Sequence, residues 1–132
     1  MQREELLDGV ARRARLESHD EAEHAALATL QTLGEHISEG EAEDVAERLP
    51  DEYEQTVTDR SDATPQEFST EGFVRSVARR ERGDVGGEEA RTHARAVFAT
   101  LADAGLEDEL QDARSQLPDE FDTLFETDGL AE

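Results

Sequence analysis

The sequence predicts an all-α fold: two tandem copies of one three- to four-helix unit, packed as a single pseudo-two-fold helical bundle. Three observations carry this. Apolar residues recur three and four apart through most of the chain. Two motifs return in the same order after 67 and 68 residues. Serines and prolines sit where the helices of each copy would start and stop.

The first helix of each copy carries the first anchor. Val10-Ala11-Arg12-Arg13 returns as Val77-Ala78-Arg79-Arg80, an offset of 67. Leu6, Leu7, Val10 and Ala14 form its apolar face in copy one; Phe73, Val74 and Val77 form it in copy two. The second helix repeats Ala22, Ala26, Leu30 and Leu33 as Ala90, Ala94, Phe98 and Leu101, now at an offset of 68. One inserted residue in the Gly83–Gly87 stretch reconciles the two offsets.

Ser18-His19-Asp20-Glu21 opens the second helix of copy one as a capping box: serine takes a free backbone N–H and glutamate reaches back to another. Ser38-Glu39-Gly40-Glu41 opens the third helix in the same way. Copy two replaces that serine cap with Ala104-Gly105-Leu106-Glu107.

Leu49-Pro50-Asp51-Glu52-Tyr53 returns as Leu117-Pro118-Asp119-Glu120-Phe121 and supplies the second anchor. Proline pushes the preceding residue out of the helical region, so the third helix ends there. Proline also suits the start of a new helix, where the two acids meet the positive dipole end. The expected organisation is helical repeat 1 over 1–57, a linker over 58–67, helical repeat 2 over 68–126 and a frayed tail over 127–132. The 132 residues suffice for one compact domain.

Charge is the other strong signal. Thirty-five acids face 13 basic residues, all of them arginine, for a formal charge of −22. The acids are spread along every segment, and the regular apolar spacing argues against disorder. We therefore expect a halophilic protein, because concentrated salt screens self-repulsion. With no cysteine, there is no disulfide framework and no thiolate chemistry. No apolar run approaches the roughly 20 residues of a membrane span, and the N-terminus lacks a signal-peptide stretch. The expected location is cytoplasmic.

Candidate chemistry is sparse. Arg12, Arg13 and Arg15, with Arg79, Arg80 and Arg82, are the basic concentrations. Arginine suits phosphate or carboxylate recognition, which makes Arg12, Arg13, Arg79 and Arg80 the candidate anion or partner contacts. Helix-end dipoles and acids one turn away also account for them. His19, His24, His36 and His93 lack metal-ligand spacing and read as surface or cap residues. No EF-hand loop and no phosphate-cradling glycine loop is present. No catalytic, cofactor-binding or metal residue is assigned.

The V-A-R-R helix, the A-x-x-x-A-x-x-x-L second helix, the Gly40-Glu41-Ala42-Glu43-Asp44-Val45 segment and the L-P-D-E-aromatic turn together carry a resemblance. Phe68-Ser69-Thr70-Glu71-Gly72-Phe73 adds to it. The chain resembles domain of unknown function 2267, found in bacteria and haloarchaea, and reads as a haloarchaeal member. The resemblance implies a duplicated helical domain and carries over no catalytic residue. The leading expectation is a non-enzymatic protein-interaction or regulatory module with an unknown protein partner, a monomer or weak homodimer, binding neither nucleic acid nor membrane. The alternative is a small-molecule-binding protein or enzyme with its site between the repeats near the paired arginines. A nucleic-acid-associated role ranks third. A site protein would enclose those arginines in a pocket; an interaction module would expose an apolar patch.

Overall fold

A computed structural model describes residues 1–59, 69–81, 85–127 and 129–130. Within them the chain is all-α, with seven α-helices and no strand. The helices are α1 (Arg3–Ala14), α2 (His19–His36), α3 (Glu39–Glu47), α4 (Asp51–Thr58), α5 (Thr70–Arg80), α6 (Gly87–Leu101) and α7 (Glu107–Ser115). A wide π turn, Ala102–Leu106, joins α6 to α7, and a 3₁₀ helix, Asp119–Phe125, follows. Thr58, the first residue of the expected linker, is the last residue of α4. Residues 60–67 of that linker lie outside the described residues, as do Phe68 and Arg82. In the tail, Leu130 packs half-buried against the core.

The packing follows from the apolar stripes. Helices α2 and α6 pack on each other, and each packs on both α1 and α5. Helix α4 lies on α2 and α3, the 3₁₀ helix lies on α5, α6 and α7, and α3 meets α7. Leu30, Leu33, Leu49, Val77, Phe98, Leu101 and Leu117 are all buried. Phe73 sits at the centre of an aromatic group, with ring centroids 5.2 Å from His36, 5.7 Å from Phe121 and 6.2 Å from Phe98. Leu33 is fully buried in this core. Leu33→Ala should therefore lower stability by about 2–5 kcal/mol through lost transfer energy and a residual cavity. A urea titration that shows a smaller loss would contradict its placement.

Local chemistry departs from the expected caps at Ser18 and Ser38, and copy two lacks the serine cap as its sequence indicated. Ser18 Oγ accepts the Glu21 N–H at 3.2 Å, but the Glu21 carboxylate takes the N–H of Glu17 instead of Ser18. Ser38 Oγ accepts the Glu41 N–H, while the Ser38 N–H donates 2.7 Å to Oε1 of Gln116, a residue of the other half. Copy two has no cap at its third helix: the chain kinks through Gly105 at φ 103°, where glycine carries no Cβ penalty. The closing element of copy two is 3₁₀ where that of copy one is α.

One close approach sets the position of α4. A Cβ on Gly34 would lie 1.9 Å from the Val57 carbonyl oxygen, so only glycine lets α2 and α4 touch there.

Candidate functional site

The arginine pairs divide by direction. In an α-helix, residues three and four apart share a face. Arg13 follows Leu6 and Val10, and Arg80 follows Phe73 and Val77, so both extend the inner apolar stripe. Arg12 and Arg79 fall on the outer face and are exposed.

Arg80 crosses to α2. Its Nη1 donates 2.8 Å to Thr32 Oγ1, and its Nη2 lies 2.7 Å from Oε1 of Glu35. Both groups are largely out of solvent, with side chains 15% and 5% exposed. Arg13 crosses to α6 and its π turn in the same manner. Its Nη1 donates 3.1 Å to Thr100 Oγ1, and its Nη2 pairs with Asp103 Oδ2. Each threonine hydroxyl in turn donates 2.8 Å to the carbonyl one turn back, of Ala28 or Ala96. The pairing acids are thus not neighbours on the arginines' own helices, as the sequence suggested, but residues 45 and 90 positions away. A signal for them exists: Thr32-Leu33-Gly34-Glu35 returns as Thr100-Leu101-Ala102-Asp103, threonine and acid three apart, 68 residues later.

A second set of bonds crosses at α3 and α7. Arg48, at the end of α3, reaches Glu109 Oε1 at 2.9 Å and donates 3.2 Å to the Gly105 carbonyl. Gln116, its equivalent 68 residues on, accepts from Ser38 at the start of α3.

Two histidines correct the sequence reading. His36 and His93 are buried, not on the surface. His93 Nδ1 lies 2.9 Å from both carboxylate oxygens of Glu81, also buried, and the pair ties the end of α5 to α6. The equivalent positions in copy one are Ala14 and Ala25, so no repeat signal announced it. His36 Nδ1 lies 2.8 Å from the Thr32 carbonyl, an acceptor, so this nitrogen carries the proton. His19 pairs with Asp8 at 2.5 Å on the surface, as expected of it.

Copy one also buries hydroxyls that copy two lacks. Thr29 and Tyr53 place theirs out of water with no hydrogen-bond partner among the described residues, where copy two has Val97 and Phe121. Burial pushes the Tyr53 phenol above its ordinary range; Glu23 adds to the rise, and Arg3 opposes it.

Where α3 meets α7, Glu41 is half-buried and its Oε1 has no hydrogen-bond partner among the described residues. Burial first, and then the charges of Asp112, Asp44 and Glu109, raise its proton affinity. A carboxyl raised in the folded state holds its proton better folded than unfolded. The term therefore favours folding at low pH and is lost as pH rises through the raised value. Glu41→Gln should accordingly stabilise the protein at pH 7, by up to about 1 kcal/mol for a charge this accessible. The gain should vanish as pH falls into the carboxylate range. A gain that is the same at both pH values would refute the cause assigned.

Among the described residues no cluster of three or more histidines and acids is placed to hold a metal ion, and no helix is long and apolar enough to cross a membrane. No described Ala, Val, Leu, Ile, Met, Phe or Tyr is exposed, while Leu16, Leu27, Val85, Phe125 and Leu130 are half-buried. Acids dominate the exposed residues, and Arg12 and Arg79 are equivalent exposed cations whose side chains bond to no described residue.

No curated protein matches the chain. A family model does, over residues 3–124, which span both arginine motifs, both L-P-D-E turns and every element from α1 into the 3₁₀ helix. The chain therefore belongs to the family described as Uncharacterized conserved protein (DUF2267).

Proposed function

We propose that the chain is a duplicated helical module that works by binding a protein partner, not by catalysis, through polar surface that includes Arg12 and Arg79. The observation that carries this is the division of the arginines. Arg13 and Arg80 are consumed in bonds between the halves, while Arg12 and Arg79 are exposed, with no side-chain bond to a described residue, in a chain with 35 acids. The alternative, a small-molecule site between the halves, would have to displace Asp103 from Arg13 and Glu35 from Arg80. The reciprocal bonds also support two equivalent halves related by a pseudo-two-fold: Arg13 to Thr100 and Asp103, and Arg80 to Thr32 and Glu35.

The test is capture from a high-salt extract of the source organism, with mass spectrometry of what is retained. Wild type should hold a partner that the Arg12→Gln, Arg79→Gln variant loses while that variant keeps its helical content and a cooperative melt. Retention by both, or by neither, would count against the module.

The acidic surface supports a halophilic setting. Folding concentrates the excess carboxylates, and repulsion opposes the compact state. Exposed ion pairs offset little, at about 0–1 kcal/mol each. Salt shortens the screening length from about 10 Å at 0.1 M to about 3 Å at 1 M, weakening repulsion more than it weakens the few attractive pairs. The thermal midpoint at pH 7 should be higher in about 2 M than in about 0.05 M KCl, on either side of that screening range. An equal or lower midpoint in high salt would overturn the halophilic reading.

A further inference from the structure

A surface arginine on a helix meets first the residues three and four away in sequence. Around Arg12 these are Asp8, Gly9, Arg15 and Leu16; around Arg79 they are Arg75, Ser76, Arg82 and Gly83. In a chain with 35 acids, Asp8 is the one carboxylate in either set. It stands four residues before Arg12, the favoured order for an acid and a base on a helix. Yet its Oδ1 accepts a hydrogen bond from Nε2 of His19, the first residue of α2, at 2.5 Å. The position equivalent to Asp8 in copy two is Arg75, which is exposed and repels Arg79 along the same face.

The two halves thus reach one result with different residues. Both exposed guanidiniums are kept from the acids of their own chain, and neither side chain bonds to a described residue. The helix dipole favours a cation at these C-terminal ends, but it does not occupy the N–H donors. Those donors form a planar fork that fits a carboxylate with two parallel bonds.

We infer that Arg12 and Arg79 take carboxylate side chains of a protein partner, and that His19 keeps Arg12 open by holding Asp8 away from it. The inference rests on the reading of these two arginines as partner contacts and names what they contact. Charge complementarity selects the partner. Nucleic acid carries a charge at every nucleotide and would meet the chain's excess of acid along its length. A protein segment with a few carboxylates among uncharged residues brings its acids to the arginines and little charge elsewhere. His19 is a positioning residue in this scheme, since it acts on Arg12 only through Asp8.

The test follows the arginine Nε–Hε signals by NMR, at the lowest KCl concentration that keeps the chain folded. The probe is a Gly–Ser peptide carrying spaced glutamates. Arg12 and Arg79 should shift with it and not with its glutamine counterpart. In His19→Ala, the released Asp8 competes for Arg12. Binding there should weaken about twofold, the worth of one exposed pair four apart on a helix, while Arg79 is unchanged. Adding Asp8→Asn should restore the wild-type response at Arg12, which a purely structural role for His19 would not produce. No response, or an equal response to the glutamine peptide, overturns the carboxylate partner, and so does tighter binding of single-stranded DNA at the same signals. An Arg12 response unchanged in His19→Ala overturns the role given to His19. Capture of a partner through Arg12 and Arg79, without any response to the glutamate peptide, would leave the module standing and remove this inference alone.

Discussion

Gly34→Ala is expected to destabilise the protein by about 3 kcal/mol or more, at or beyond the top of the usual range for overpacking. Helix propensity alone points the other way. Alanine is favoured over glycine by about 0.8–1 kcal/mol in a helix interior, and Gly34 lies inside α2. Contact geometry decides the sign. The added methyl would sit 1.9 Å from the Val57 carbonyl oxygen and 2.9 Å from its carbon. Both atoms are backbone of α4, so no side-chain rotation relieves the clash and α4 must shift as a body. That shift would disturb the buried Tyr53 and Val57 on its inner face. Copy two carries Ala102 at the equivalent position, where the chain enters the π turn. Urea denaturation of the single variant checks this, and a midpoint at or above that of wild type would mean that the α2–α4 contact is wrong.

Arg80→Gln is expected to lower stability by about 3–5 kcal/mol, the range for removing one partner of a buried ion pair. Arg79→Gln, one residue earlier and exposed, should change it by no more than about 0.5 kcal/mol. The contrast is physical. Loss of the guanidinium leaves the Glu35 carboxylate, only 5% exposed, without its counter-charge, and takes a donor from Thr32. Arg79 has no such partner among the described residues. Adding Glu35→Gln to the Arg80 variant should recover part of the loss, because two neutral amides replace a lone buried charge. The difference between the two arginines should persist in concentrated KCl, since buried pairs are screened little. Equal melting of the Arg79 and Arg80 variants would remove the distinction on which the proposed function depends.

Much of this fold was legible in the sequence because the residues that carry it act locally or repeat. The stripe Leu6, Val10, Arg13 is a matter of helical period, and the same spacing returns in the sequence as Phe73, Val77, Arg80. Pro50 and Pro118 mark helix ends by sterics that need no partner. The ends of the cross-half bonds were not legible. Nothing near Arg13 specifies Asp103, 90 residues on, although the repeated threonine–acid spacing narrows the choice. The capping rule failed at Ser38 for the same reason: the N–H that Glu41 would have taken had a better-placed acceptor in Gln116. His93 and Glu81 were illegible because histidine and glutamate are ordinary surface residues until packing encloses them, and copy one has alanines there. Arg12 and Arg13 are chemically identical, and only the direction of the helix face separates a structural residue from an exposed one.

The crossing of these bonds also sets an order of events on the ribosome. The chain is made from its N-terminus, and Glu35 is joined 45 residues before Arg80, the group that neutralises it. At about 5–20 residues per second the carboxylate waits on the order of seconds for its cation. Arg13 waits longer, since Asp103 is added 90 residues after it. The nascent first half, with α1 and α2 complete, holds an unmatched charge of each sign and an apolar face whose cover has not yet been translated.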